Sequence, residues 1–450
     1  MKRILATLLV VVMVFSLAAC DDKGGNSSNN TSNNTTDNTT SNTTSNDTSS
    51  STGLTADTKA DLKMWCIATE SDSNRKSYEN AIADMKAAYP NVNFTWEAFE
   101  NESYKEKIKA AMAADEVSDI FFTWSCAFLG DFVNQNKVYC LDDVLAKYIS
   151  SGDLPEVMLG NTTYNGKHYG VPLTMNIVGL FANMDILKEV GYNDVPATYD
   201  DLIKCCDALV AKGYYPFGCA GGETWCVTEY LESIIEKNIG ADALNDIFLA
   251  RSSYNNQGVA DSVKIFQDMI DKGYFDPAGL TLGNDEIKTN FMNGKYAFYM
   301  NGTWNCADFA ANADFYGKVK VSEFPVIDSS KSQLGQLIGG PSDTLAVAAS
   351  SKNAAIAGEY AAALGKLICK YGYLDGAGLP AWKVDYDDSK VNGLTKKVSE
   401  ICAAAKAYVL FGDTAMSAAD KDIYLAYVAK VYTKDVDGAG FISGLAKDIR

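Results

Sequence analysis

Two kinds of side chain in this sequence stand where they could meet a ligand. The first are indoles set beside glycine-loosened or strand-terminal backbone. Trp304 closes the run Asn301-Gly302-Thr303-Trp304, and Trp225 closes Gly221-Gly222-Glu223-Thr224-Trp225. Trp124 follows Phe121-Phe122-Thr123, and Trp382 follows Gly378-Leu379-Pro380-Ala381. The second are carboxylates and carboxamides at the ends of extended runs or on candidate loops: Glu70, Asn176, Glu223, Asn301 and Asp343. A flat indole offers an apolar face, and the polar groups offer fixed donors and acceptors. Together they suit a ring that is apolar on its C–H faces and hydroxylated at its rim. Each has a plain alternative. Trp304 could pack beneath a hinge, Trp382 could belong to a core, and the five polar residues could be solvated loop residues. Trp65 and Trp96 lie inside strand-like runs and read as packing residues.

Other chemistries lack their parts. The single histidine, His168, stands beside a turn, and a zinc or iron site needs a cluster of ligands. No Gly-x-Ser-x-Gly elbow, His-Glu-x-x-His pair or phosphate-binding Gly-x₄-Gly-Lys-Ser/Thr loop occurs. Asp435-Val436-Asp437-Gly438 starts like a calcium loop, but its twelfth position is Ala446, which cannot ligate. No cofactor is expected. A net charge of −18 argues against nucleic acid, whose phosphates demand a basic face.

The elements that must carry these residues follow from periodicity. Leu62 to Ile67 reads as a strand. Tyr78, Ile82, Met85 and Tyr89 then share one helical face, and Pro90 stops that helix. Val92 to Trp96 alternates like a strand, Tyr104, Ile108 and Ala111 mark a helix, and Asp119 to Phe122 is a short buried strand. This β-α-β-α-β order predicts a mostly parallel sheet covered by helices, with ligands beyond its carboxyl edge. Asn165-Gly166 predicts a hairpin turn. Further helices are expected at 185–190, from the Thr198 cap to about 212, at 257–272 and at 285–292, with Ser417 capping a late one. Strands are expected at 178–182, 296–300 and 345–349.

The amino terminus sets the compartment. Lys2 and Arg3 precede an apolar run from Ile4 to Leu17, and Leu17-Ala18-Ala19-Cys20 follows. That is a signal peptide over 1–19 ending in a lipobox, with Cys20 as the lipidation site. Several acyl chains at about 0.8 kcal/mol per buried CH₂ suffice for stable anchoring. Asn26 to Thr52 holds only Asn, Ser and Thr apart from Asp37 and Asp47, so 20–56 reads as a disordered tether with nothing to bury. The remaining length is natural for two cores. Ten cysteines accompany Cys20 without a readable disulfide framework; Cys219 and Cys226 could pair within one loop.

Taken in order, these pieces resemble the extracellular solute-binding proteins of the carbohydrate, maltose-binding-protein-like class that serve ABC importers. The residues that carry the likeness are Ala87-Ala88-Tyr89-Pro90-Asn91-Val92, Tyr104-Lys105-Glu106-Lys107, Val117-Ser118-Asp119-Ile120 and Tyr164 through Pro172. They continue with Gly191 and Pro196-Ala-Thr-Tyr-Asp-Asp201, Phe291-Met-Asn-Gly294-Lys295, Asn301-Gly-Thr-Trp304 and Gly339-Gly340. Ser118 and Tyr199 stand where the family usually has Pro and Trp.

The resemblance implies a periplasmic-binding-protein-like (type II) α/β fold: two α/β lobes joined by a hinge, with an interlobar ligand cleft. Lobe 1 is expected over 57–171 plus about 305–350, lobe 2 over 172–304 plus about 351–450. It also implies a ligand-contacting tryptophan at Trp304. The function implied is capture of a sugar or oligosaccharide outside the cell and delivery to an ABC permease, by a monomer held at the membrane through its lipid anchor, without catalysis. Three alternatives stay open: the same fold binding a polyamine, peptide or other non-sugar solute, a lipid-anchored glycan hydrolase, and a surface scaffold that holds glycans without transport.

Overall fold

In Leu62, Met64 and Cys66 the buried positions alternate with exposed Asp61 and Lys63, and the segment Ala60–Cys66 is a strand. The computed structural model describes residues 53–449. The expected signal peptide, Cys20 and most of the expected tether lie outside the described residues. Helix Arg75–Ala88 buries Tyr78, Ile82 and Met85, and ends at Tyr89, before Pro90. Strand Val92–Ala98 pairs parallel with Ala60–Cys66, and so does strand Ile120–Trp124 on its other side. Between them helix Asn101–Ala114 buries Tyr104, Ile108 and Met112.

Two sheets organise the chain. The first runs Val92–Ala98, Ala60–Cys66, Ile120–Trp124, Asp343–Val347, Val171–Pro172, with the last two antiparallel to their neighbours. The second is built on Thr174–Asn183, a ten-residue strand whose partners include Tyr296–Gly302, Gln336–Pro341 and Val319–Ser322. Each sheet has its own core, one centred on Met64, Phe121 and Leu345, the other on Leu180, Phe217 and Phe298. The molecule therefore has two α/β lobes.

The chain passes from the first sheet to the second at Leu173 and returns at Ser342. The expected assignment of about 305–350 to the first lobe differs from the structure. Val319–Ser322 and Gln336–Pro341 both hydrogen-bond to Thr174–Asn183, so the second lobe runs on to Pro341. Conversely, helix Ala354–Asp375 buries Ala361, Leu364 and Ile368 in the first core, rather than joining the second lobe at 351. After that helix Leu379–Pro380 pairs with Thr174–Asn183, Ala381 and Trp382 return to the first core, and the chain then crosses for the last time, with Val391 and Leu394 packed in the second lobe. A strand edge is chosen by partners far away in sequence, which periodicity does not report.

Among the described residues all ten cysteines are free, so Cys219 and Cys226 do not pair; both are buried. No described helix is long and apolar enough to cross a membrane.

Candidate functional site

Between the lobes lies a cavity of about 260 Å³. Its first wall is the carboxyl edge of the first sheet: Ile67 just beyond one strand, Trp124 at the end of another, and Asp343 at the start of the antiparallel strand beside it. Parallel strands bring their carboxyl ends to one edge, which places these groups together. The second wall comes from the amino-terminal end of helix Thr224–Ile239, the start of helix Asn284–Met292, and the turn Thr303–Asn305 just beyond strand Tyr296–Gly302.

Three indoles line it. Trp124 is half-buried, braced by the edges of Phe122 and Phe128 with ring centroids 5.0 and 5.2 Å away. The Lys105 ammonium stands 5.2 Å from its ring centre. Across the cleft, Trp225 and Trp304 lie 6.1 Å apart at 54°, and Phe411 lies 6.3 Å from Trp304. Gly302 makes the Trp304 position possible. A Cβ at Gly302 would meet ring carbons of Trp304 at 2.0 to 2.3 Å, well inside contact distance.

Glu223 lines the cavity, and both its oxygens are engaged: Oε2 accepts from Trp225 Nε1 at 3.0 Å and Oε1 from the Asn284 N–H at 2.7 Å. It fixes the indole and ties two loops of the second lobe together. Asp343 lines the opposite wall, where burial first and the charge of Asp72 second push its carboxyl up to about 7. Asp72 is pushed up to about 6 by burial, against the Asn74 N–H and Lys288, which favour its charge. Each touches the cavity with part of its surface and is otherwise enclosed.

Four other expected site residues stand elsewhere. Trp382 is a core residue, 3% exposed, whose Nε1 donates to the Pro172 carbonyl at 2.7 Å. It packs under the first crossing because a buried indole N–H needs an acceptor, and Pro172 offers one. Glu70 points to solvent, with 89% of its side chain exposed, and pairs with Arg75 at 3.0 Å. Asn176 is buried at the crossing and accepts from Thr303 Oγ1 at 3.1 Å, so it belongs to the hinge. Asn301 is fully buried behind the wall; its Nδ2 donates to Asn284 Oδ1 at 3.1 Å, supporting a lining residue.

Several lining residues escaped sequence reasoning. Glu229 is 1% exposed, and neither carboxyl oxygen accepts a hydrogen bond. The nearby Gly302 N–H is donated to Asn301 Oδ1 instead, at 2.9 Å. Burial first, then the charges of Glu232 and Asp413, hold the Glu229 carboxyl well above the usual range. Glu229, Glu232 and Glu236 recur at helical spacing, so a shared face was legible, but not that the helix is buried all round from Cys226 to Ile239. Asp72, Asn284 and Asp413 carried no signal of their own. Among the described residues, no group of three or more potential metal ligands is suitably clustered.

The lobes already touch across the cleft. Ser73 Oγ donates to Asp308 Oδ2 at 2.8 Å, and the Lys421 ammonium stands 5.4 Å from the Phe128 ring centre.

Residues 69–366 match the family of bacterial extracellular solute-binding proteins. A solved structure from work on xylan utilisation by the thermophilic bacterium Caldanaerobius polysaccharolyticus is 31% identical, with a TM-score of 0.83, and covers 87% of this chain and 100% of that one. The multiple sugar-binding protein of Streptococcus mutans is 26% identical over 281 residues, 61% of this chain and 64% of that protein. A binding protein of Brucella abortus is 23% identical over 231 residues, 51% of this chain. The chain thus spans 55% of the Brucella protein and 64% of the streptococcal one, less than two thirds of either.

Proposed function

The chain belongs to the family of bacterial extracellular solute-binding proteins, and we propose that its cleft captures a saccharide outside the cell and presents it to an ABC permease without altering it. One observation carries this reading: indoles from both lobes, Trp124 on one side and Trp225 and Trp304 on the other, line a single cavity. Pyranose C–H faces pack on such rings, and Asp343 can accept from hydroxyls at the rim. Glu223 acts by holding the Trp225 ring. The names of the relatives point the same way. At about 260 Å³ the cavity falls just below the roughly 300–1,000 Å³ usual for small-molecule sites, which suits a short saccharide.

In this reading the ligand holds the closed form because only that form touches both of its faces. Differential affinity for the two arrangements is the whole driving force. Cys20 carries the lipid, the Asn/Ser/Thr tract is the tether, and the protein works as a monomer at the outer face of the membrane.

The test is a titration of intrinsic tryptophan fluorescence against mono- and oligosaccharides, with product analysis of each mixture. Saturable change for at least one saccharide, recovered intact, is expected. Cleavage of the bound saccharide, or silence across the panel with saturation by a peptide or a polyamine, overturns it.

A further inference from the structure

The charges around the cavity do not balance. Its two lysines are already paired: Lys105 with Glu102 at 2.7 Å, and Lys288 with Asp308 at 2.7 Å and Asp285 at 3.2 Å. Of the eight lining carboxyls only Asp285 has a cationic partner at salt-bridge distance; those without one include Asp72 and Asp343 on the first lobe and Glu229 and Asp413 on the second. Glu229 is the extreme case, almost wholly buried with both oxygens empty of hydrogen bonds. A buried carboxyl without a partner costs free energy, and a native protein keeps one where something else completes it. Glu232, one turn on, is completed within the chain by the Gly412 N–H and Tyr424 Oη. Glu229 is not.

We propose that the cleft is built for a saccharide bearing a primary amine, whose ammonium seats against Glu229 and Asp413 while its ring lies among Trp124, Trp225 and Trp304. This rests on the reading that the cleft takes a saccharide, and it names which kind. A hydroxyl brings one proton and no charge. An ammonium brings up to three donors and a full positive charge into a cavity whose carboxyls outnumber its cations. Burial raises the Glu229 carboxyl above its ordinary range and so favours its protonated form in the empty cleft. As the ammonium docks, the carboxyl gives that proton to buffer and remains as carboxylate paired with the amine, so one proton is released for each ligand bound.

The experiment is isothermal titration calorimetry of the mature protein at pH 7. Glucosamine, galactosamine, mannosamine and the β-1,4 glucosamine disaccharide are each compared with the hydroxyl parent: glucose, galactose, mannose and cellobiose. Each run is done in phosphate and in Tris, which differ in ionisation enthalpy. For at least one pair the amino form binds at least tenfold tighter and releases a proton, while the parent releases none. In Glu229→Gln the tenfold ratio and the proton release both disappear. Equal affinity within every pair that binds, or tighter binding of the parents, overturns this proposal and leaves saccharide capture standing. Proton release without preference, or preference that survives Glu229→Gln, overturns the assignment to Glu229. Binding of putrescine with no saccharide of either kind overturns both readings together, as does silence throughout. The buffer comparison on the unmutated protein keeps the test decisive should the variant fail to fold.

Discussion

Ser73 and Asp308 join the two lobes: the serine Oγ, on the loop beyond the first strand, donates to Asp308 Oδ2 at 2.8 Å. A lobe movement that parts Ser73 from Asp308 breaks this bond. A hydrogen bond of this kind contributes about 0.5–1.5 kcal/mol net. Removing it by Ser73→Ala shifts the equilibrium toward opening, and the ligand must then supply the difference. The dissociation constant for the bound saccharide should rise by roughly fivefold, since about 1.4 kcal/mol is tenfold. Calorimetry of the two proteins reads it. An unchanged affinity would mean the bond contributes nothing to closure.

Gly302 and Trp304 act as one unit. Because a Cβ at Gly302 would sit 2.0 to 2.3 Å from the indole, Gly302→Ala must push the ring off its place. Gly302→Ala should therefore lose affinity much as Trp304→Ala does. Truncating a central aromatic anchor costs about 2 kcal/mol or more, roughly thirtyfold in affinity. The check is a fluorescence titration of both variants beside far-ultraviolet circular dichroism. Retained affinity in Gly302→Ala with an intact fold would show that the ring can sit elsewhere.

The elements were legible where a face alternates or repeats. Helix Arg75–Ala88, strand Val92–Ala98 and the Thr198 and Ser417 caps follow from local pattern and local hydrogen bonds. The site was legible where a bulky ring stands at a strand end or opens a helix, as at Trp124, Trp225 and Trp304. It was not legible where the role depends on a distant partner. Asn176 looked like a cleft residue and is held by Thr303 in the hinge, 127 residues away in sequence. Glu229 carries no local signal of a site and is among the most enclosed carboxyls in the protein. The helix that carries it is enclosed on all sides from Cys226 to Ile239 by other elements of its lobe, and helical spacing names a face without naming its neighbour.

Trp382 separates stability from binding. It is 3% exposed, packs edge-on to Tyr148 at 5.3 Å and holds the Pro172 carbonyl. Trp382→Ala empties a large buried volume and should cost about 3–5 kcal/mol of stability. It also leaves the carbonyl at the first crossing without that donor. A lower urea midpoint is expected, with the ligand-induced fluorescence change still present at low temperature. Loss of binding without loss of stability would return Trp382 to the cleft.

Asp343 gives a pH dependence whose sign is fixed by its position. Burial raises its carboxyl from the usual 3.8 to about 7 in the folded protein. The folded state then binds the proton more tightly than the unfolded state between those values. Stability from this group is complete below about pH 4 and is lost as pH rises through 7. Asp343→Asn removes the ionisation while keeping the strand pairing with Trp124, which uses the backbone. Other carboxylates contribute their own slopes to both proteins, so the informative quantity is the difference between variant and parent at each pH. In urea titrations without ligand that difference should grow in favour of the variant from pH 4 to pH 8 and level off above. A flat difference would mean that Asp343 ionises in the folded protein as it would in water, and that the cleft leaves it in contact with bulk solvent.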